Sequence, residues 1–255
     1  MGAGFRPRRR ASVNLPNWLT VGRIAFTPLL VWLPLQEDPG YRLAAFVLYL
    51  AVAVTDYYDG MLARSRGLVT DLGKLLDPFA DKLLLVGTFV PMFWLQAPVS
   101  DPMLHAFEGM SAVRDVLSHY PFVISLGGVD WRVPLPSWVV ALVLGREVAM
   151  TVLRQVAHRR GTVIAAIFAA KLKTAFQLIW IGAAYFWFFV ATADRLDVRD
   201  TAGWDYLANL AGIVGAIAMV ASVGLTIYSM GIYLWRYGRI LRANAGVRPT
   251  PDGRG

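Results

Sequence analysis

Four aspartates form two pairs at helical spacing within a short part of the chain. Asp56 and Asp59 lie three positions apart near the end of one apolar segment, and Asp77 and Asp81 lie four positions apart near the start of the next. Residues with these spacings share one face of a helix, so each pair is expected to project toward a common level. Four carboxylates this close need cations to balance their charge. Two divalent ions would do so, and ligands that are all oxygen suit Mg²⁺ or Mn²⁺ rather than zinc.

The residues beside the aspartates suit a phosphate ligand. Gly60 and Gly73 leave room for close approach to the backbone, and Ala63 keeps the helix surface low. Arg64 offers a planar fork of donors that matches a phosphate. A metal pair beside an arginine and a glycine-lined surface predicts a diphosphate site.

Nearby cations offer a purely structural alternative, in which ion pairs neutralise the aspartates without any ligand. Lys74 lies three positions before Asp77 and could pair with it. The two arginines that follow the first pair of aspartates, Arg64 and Arg66, have no helical spacing to that pair. The spacing therefore favours the metal site.

The composition is that of a membrane protein. Of the 255 residues, 56% are hydrophobic and 16% are charged, and the mean hydropathy is +0.49. A helix needs about 20 apolar residues to cross a bilayer. Six runs approach or exceed that length, so we predict an all-α fold with six transmembrane helices, at roughly 20–36, 41–62, 75–97, 137–157, 163–191 and 206–235.

Basic residues predict the orientation. Most of the 25 lysines and arginines fall in the two tails and in the loops at 64–74 and 154–162, and few fall in the opposite loops. Cytoplasmic loops retain positive charge, so both tails are predicted to be cytoplasmic. The absence of a transit-like presequence favours a bacterial inner membrane.

The chain divides into three parts on this prediction. These are a basic cytoplasmic tail (1–13), one six-helix domain (14–242) and a disordered cytoplasmic tail (243–255). Within the domain, segment 98–136 would face outward as a re-entrant or interfacial cap. The net charge of +8 is explained more simply by contact with anionic lipid than with nucleic acid. The chain has no cysteine, which excludes disulfides and thiolate metal sites.

Several ionisable residues remain inside the predicted spans. Such residues are costly in a membrane and usually face a polar cavity. Nearly all of them fall in the predicted cytoplasmic half, so one polar chamber open to the cytosol would gather them. Besides the four aspartates they are Arg23, Lys82, Arg146, Glu147, Lys171 and Lys173.

The aspartates and their neighbours read DxxDGxxAR, eight residues, then GxxxDxxxD. This pattern resembles the complete signature of the CDP-alcohol phosphatidyltransferase superfamily. The stretches NLPNWLTVGRI, LDPFADK, GREVAMTVLR and AKLKTAFQ resemble one branch of it, the phosphatidylglycerophosphate synthases, over roughly residues 13–185. The sequence departs from that branch at Ala170, where glycine is expected, and in the length of segment 98–136.

The resemblance implies roles for individual residues. Asp56, Asp59 and Asp77 would hold two divalent ions, and Asp81 would reach the second ion and act as general base. The donor, CDP-diacylglycerol, would be bound by the following residues: Asn17, Thr20, Gly60, Ala63, Arg64, Thr70 and Gly73. For Asn17 a helix cap is the alternative.

Three further cations are candidates to bind an acceptor phosphate: Arg146, Lys171 and Lys173. At 3.6 residues per turn the two lysines lie nearly opposite each other, so only one is expected to enter the site. Snorkelling to the membrane interface is the alternative for either lysine. Glu147 could instead join spans as the partner of Arg146 in an ion pair.

The resemblance implies a homodimeric enzyme that transfers a phosphatidyl group from CDP-diacylglycerol to glycerol 3-phosphate and releases CMP. Other acceptors stay open within the superfamily, namely phosphatidylglycerol, which would give cardiolipin, and inositol phosphate. A divalent-cation transporter is an alternative of another class, but the outer halves of the second and third spans are wholly apolar. An inactive scaffold is a further alternative, against which the unbroken motif argues.

Overall fold

The computed structural model describes residues 15–65, 71–95, 122–126, 129–159, 167–193 and 202–243. In this part of the chain six long helices lie at the positions of the six predicted runs. A 3-10 turn, Leu33–Leu35, follows the first of them. The helices are α1 (Leu15–Trp32), α2 (Pro39–Ser65), α3 (Asp71–Trp94), α4 (Ser137–Arg159), α5 (Phe168–Ala193) and α6 (Ala202–Ala243).

Within the described ranges, three stretches are long and apolar enough to cross a membrane, judged by length and composition. They are Trp18–Leu35, Phe168–Ala193 and Tyr206–Trp235. Large apolar side chains such as Val47 on α2 and Val220 on α6 are exposed on the helix surfaces, as expected where helices face lipid. The protein is therefore a mainly helical membrane protein.

The predicted helical class is confirmed for the long elements, and a short strand pair is an addition that the sequence did not predict. Strand β1 (Phe122–Leu126) pairs with strand β2 (Val129–Val133) as an antiparallel hairpin, with Phe122 opposite Val133. The strands, FVISL and VDWRV, are rich in the β-branched and aromatic residues that favour extended backbone. The buried Phe122 ring packs where Gly215 of α6 has no side chain, and a Cβ at Gly215 would overlap that ring. The hairpin lies within segment 98–136, and the remainder of that segment up to residue 121 is outside the described residues.

Helix α1 packs against both α2 and α3. Its contact with α3 is close because Gly87 of α3 has no side chain, and a Cβ there would lie 2.6 Å from Thr27 Cγ2. The Thr27 hydroxyl donates a hydrogen bond to the Arg23 carbonyl oxygen on the preceding turn of α1 (2.9 Å). The close approach of Thr27 to Gly87 therefore holds this part of α1, including Arg23, against α3.

Tyrosine hydroxyls join α5 to its neighbours. Pro34 has no N–H to donate to the Leu30 carbonyl four residues earlier, and Tyr185 of α5 donates to that carbonyl instead (2.9 Å). Tyr49 of α2 donates to the Leu178 carbonyl oxygen of α5 (2.8 Å). Burial of a hydroxyl in a membrane protein requires such a partner, so these bonds fix the alignment of the helices.

Arg42 fixes the other end of the contact between α2 and α5. This buried side chain donates to the Gln36 carbonyl oxygen (2.9 Å) and the Phe188 carbonyl oxygen (3.4 Å), and it contacts the Thr192 hydroxyl. Since Arg42 pairs with the end of α5 and Tyr49 with its middle, α2 and α5 are antiparallel.

Candidate active site

Two helices, α2 and α3, bring acidic side chains together around α1. Thr20 Oγ1 donates to Asp77 Oδ1 of α3 at 2.7 Å. Arg23 Nη1 lies 2.7 Å from Asp81 Oδ1 of α3 and also forms an ion pair with Asp56 Oδ1 of α2. One nitrogen atom thus contacts a carboxylate from each of the two aspartate pairs. Asp56, Asp77 and Asp81 thus converge on α1, which supplies the groups between them.

The burial of this cluster is asymmetric. Arg23 is 5% exposed, whereas the side chains of Asp56 and Asp81 are 45% and 61% exposed. Asp77 is also exposed, and its partner Thr20 is buried. The hydroxyl and guanidinium groups therefore lie beneath the carboxylates, which remain open to ligands from the other side.

The donor chemistry of this cluster fits a hard divalent cation. Its acidic ligands are all carboxylate oxygens, the type that Mg²⁺ and Mn²⁺ prefer. A cation already lies between Asp56 and Asp81, because the Arg23 guanidinium contacts both. Among the described residues no group of three histidine, cysteine or acidic side chains surrounds a single point closely enough to hold a metal as the side chains stand.

The other predicted residues at this end of the fold are only partly described. Thr70 lies outside the described residues. Six more belong to described helices, but their side chains are outside the description: Asn17 on α1, Asp59, Gly60, Ala63 and Arg64 on α2, and Gly73 on α3.

A second, basic cluster joins α4 to α5. Glu147 Oε1 accepts hydrogen bonds from Arg146 Nη1 (2.8 Å) and from Lys173 Nζ (2.5 Å). Arg146 is 7% exposed and Lys173 is 2% exposed, whereas Lys171 lies on the exposed face of α5. The ion pair anticipated for Arg146 and Glu147 is present, and it extends to Lys173 across the helix contact. Only one of the two lysines enters the interior.

Two nitrogen atoms of Arg146 are available to bind a ligand in this cluster. Its Nε and Nη2 atoms are buried and find no hydrogen-bond partner among the described residues. These two nitrogens form one edge of the guanidinium plane, the geometry that binds two oxygens of a phosphate or carboxylate. Gln177 lies one turn from Lys173 on α5, and its buried Oε1 atom also lacks a partner in the described part of the chain. The two Arg146 nitrogens therefore offer donors to an anionic ligand, whereas Gln177 Oε1 can accept a hydrogen bond only from a hydroxyl or N–H group of a ligand.

The acidic and basic clusters lie at a similar depth along the helices. The bond between Tyr49 and Leu178 aligns α2 with α5. At 1.5 Å per residue, Asp56 is about 10 Å beyond Tyr49, and Lys173 is about 8 Å from Leu178 in the same direction, because the helices are antiparallel. The levels of the two clusters thus differ by only about 3 Å.

Sequence reasoning gave Arg23 no role at the aspartates. Its partners are remote in the sequence, with 58 positions separating it from Asp81. A local signal was nevertheless present, since Asn17, Thr20, Arg23 and Thr27 recur every three or four residues along an otherwise apolar helix. Such a stripe indicates a polar helix face.

Comparison with known proteins agrees with the sequence pattern. The family model of the CDP-alcohol phosphatidyltransferases matches residues 13–228. A probable phosphatidylglycerophosphate synthase of Mycobacterium tuberculosis is 30% identical over 246 residues, covering 95% of this chain and 88% of that protein. A CDP-diacylglycerol–glycerol-3-phosphate 3-phosphatidyltransferase of Arabidopsis thaliana is 29% identical, covering 90% of this chain and 82% of that protein. A CMP-forming cardiolipin synthase of Oryza sativa is 31% identical, covering 90% of this chain but 59% of that protein.

The resemblance seen in the motif is thereby confirmed, because the family match extends over most of the chain. Relatives named as phosphatidyltransferases match the same length of sequence. This chain belongs to the CDP-alcohol phosphatidyltransferase family and is a transferase.

Proposed function

We propose that this protein transfers the phosphatidyl group of CDP-diacylglycerol to glycerol 3-phosphate, giving phosphatidylglycerophosphate and CMP. The observation that carries the proposal is the convergence of Asp56, Asp77 and Asp81 on α1. Relatives named for this reaction match 90% or more of the chain. Two Mg²⁺ or Mn²⁺ ions, held by these three aspartates and Asp59, would neutralise the diphosphate charge.

Residues of this chain would remove the proton of the acceptor hydroxyl and bind the donor, CDP-diacylglycerol. The acceptor hydroxyl oxygen attacks the phosphorus that bears the diacylglycerol, and the bond from that phosphorus to the oxygen of CMP breaks. Asp81 accepts the hydroxyl proton, which suits a side chain that is 61% exposed. We assign Thr20 to the orientation of Asp77, in addition to the nucleotide pocket. The other donor-binding residues are Asn17, Gly60, Ala63, Arg64, Thr70 and Gly73.

The acceptor phosphate is assigned to the basic cluster. Arg146 would bind it with Nε and Nη2, while Glu147 holds Nη1 and Lys173 in place. Two cations that share one carboxylate leave a net positive charge, which suits the near-dianionic phosphomonoester of glycerol 3-phosphate. Lys171 is left out of this site because its side chain is exposed on another face.

We further propose that all six helices cross the membrane and that the two clusters line one chamber open to the cytoplasm. The similar depth of the clusters supports a common chamber, and the basic tails support the orientation. The domain would comprise residues 14–242 between cytoplasmic tails at 1–13 and 243–255. A bacterial inner membrane and a homodimer complete the proposal.

A second acceptor, phosphatidylglycerol, is favoured by the relative named as a cardiolipin synthase. Its phosphate is a diester with a single negative charge, so the basic cluster would be less well compensated by it. The acceptor pocket therefore separates the two reactions, whereas the donor site would be shared.

The test is CMP release by the purified protein from CDP-diacylglycerol with Mg²⁺ or Mn²⁺. Glycerol 3-phosphate, phosphatidylglycerol and inositol phosphate are offered separately, beside an Asp81→Asn variant. We expect release only with glycerol 3-phosphate and almost none from the variant. Release with another acceptor alone would overturn the substrate assignment, and no release with any acceptor would overturn the reaction.

A further inference from the structure

Arg23 has an unusual position for a cation beside a metal site. Its Nη1 atom contacts Oδ1 of both Asp56 and Asp81, so it bridges α2 and α3 in the manner of a bound metal ion. The guanidinium is almost completely buried, whereas both carboxylates are substantially exposed. Arginine does not lose its proton in proteins, so this positive charge is permanent. The two carboxylates therefore have a counter-charge even when no ligand is bound.

We propose that Arg23 is the counter-cation of the metal-free site. It holds Asp56 and Asp81 at a common point before a metal binds, and it gives up at least one of these carboxylates when a divalent cation binds. Arg23 is thus a positioning residue that also competes with the metal. This inference rests on the metal site of the proposed function.

The packing around Arg23 allows such an exchange without loss of the helix contact. Thr20, one turn earlier on α1, is held separately to Asp77 of α3. Thr27, one turn later, packs against Gly87 of α3. These contacts on both sides of Arg23 keep α1 against α3 while the guanidinium changes partners. Competition for the carboxylates of Asp56 and Asp81 then involves the Arg23 side chain.

Removal of the charge has opposite effects on two measurable quantities. Without Arg23 the carboxylates repel one another, so the metal-free protein becomes less stable. A divalent cation no longer competes with a fixed positive charge a few ångströms away, so its affinity rises, by about tenfold or more. A residue that only supported the fold would lower stability without raising metal affinity.

The experiment measures Mn²⁺ binding by the electron paramagnetic resonance signal of free Mn²⁺, with the full chain in detergent and no nucleotide present. The variants are Arg23→Gln and Arg23→Lys, and Arg42→Gln is the control, because Arg42 is also a buried arginine but bonds to backbone carbonyls at the end of α2 remote from Asp56. We expect Arg23→Gln to bind Mn²⁺ at least about tenfold more tightly than the wild type. In EDTA this variant should melt at a lower temperature than the wild type. Addition of Mn²⁺ should raise its melting temperature by more than it raises that of the wild type. The control should keep the wild-type Mn²⁺ affinity.

Unchanged or weaker Mn²⁺ binding by folded Arg23→Gln would overturn the inference. If that variant does not fold, Arg23→Lys decides, because an ammonium group is a poorer bridge between two carboxylates than a guanidinium. Its Mn²⁺ affinity should exceed that of the wild type, and an affinity at or below the wild-type value overturns the inference. CMP release by the same wild-type preparation separates the two proposals. Mn²⁺ binding without CMP release overturns only the proposed reaction, and CMP release with no gain in affinity in the Arg23 variants overturns only the counter-cation role.

Discussion

The hydrogen bond between Thr20 and Asp77 makes the most direct prediction about the acidic cluster. Thr20→Val replaces a hydroxyl by a methyl of similar size, so the buried position stays filled while Asp77 Oδ1 loses a donor at 2.7 Å. A hydrogen bond to a charged group contributes roughly 1.5–3 kcal/mol. Asp77 is exposed, so water recovers part of this and about 1 kcal/mol of stability should be lost. For a chain of this length that corresponds to a melting temperature lower by about 2–4 °C.

The same substitution should also raise the Mn²⁺ concentration that the reaction requires. An Asp77 carboxylate that is no longer oriented should raise the Mn²⁺ concentration needed for half-maximal CMP release by about fivefold to tenfold, equivalent to roughly 1–1.4 kcal/mol. Thr20→Ser retains the hydroxyl and should keep a near wild-type requirement. The reasoning is refuted if Thr20→Val and Thr20→Ser show the same Mn²⁺ requirement as the wild type while both remain folded.

Three further predictions concern the rest of the fold. Lys173→Met should raise the KM for glycerol 3-phosphate at least about tenfold, because a buried charge pair is broken. Lys171→Met changes an exposed side chain and should leave this KM nearly unchanged. Steady-state CMP release measures both values, and equal effects would contradict the assignment. Gly215→Ala should lower the melting temperature because its Cβ overlaps the hairpin, whereas Gly224→Ala, which has open space, should not; parallel melts compare the two. Tyr185→Phe should cost about 1–3 kcal/mol of unfolding free energy, because a buried carbonyl loses its donor; a wild-type melting curve would argue that another donor replaces it.

Much of the fold could be predicted because its signals are local. The six helices coincide with long apolar runs in the sequence, and the length of these runs distinguishes them from the loops. The helical period separated Lys171 from Lys173 on opposite faces, and the structure places one on the surface and the other inside. Such arguments need only the positions of residues within one element.

The features that were missed depend on contacts between distant parts of the chain or on a short element. The hairpin has only five residues per strand, too few to distinguish from an apolar loop by periodicity. The sequence places Gly127 and Gly128 between its strands, a pair typical of hairpin turns, and this was the available signal. The pairing of Arg23 with the aspartates was missed because no spacing within α1 reveals which residues of α2 and α3 will face it.

The charges of the two clusters are complementary in a way that connects the metal site to the choice of acceptor. Around α1, the described carboxylates of Asp56, Asp77 and Asp81 outnumber the guanidinium of Arg23 that contacts two of them. At the contact between α4 and α5, Arg146 and Lys173 share the single carboxylate of Glu147, so that cluster has an excess of positive charge. The charges of Arg146 and Lys173 are buried and therefore costly unless they are balanced, whereas the carboxylates of the first cluster are partly exposed. On the proposed function, cations at the first cluster and an anionic acceptor at the second would balance the charges of both.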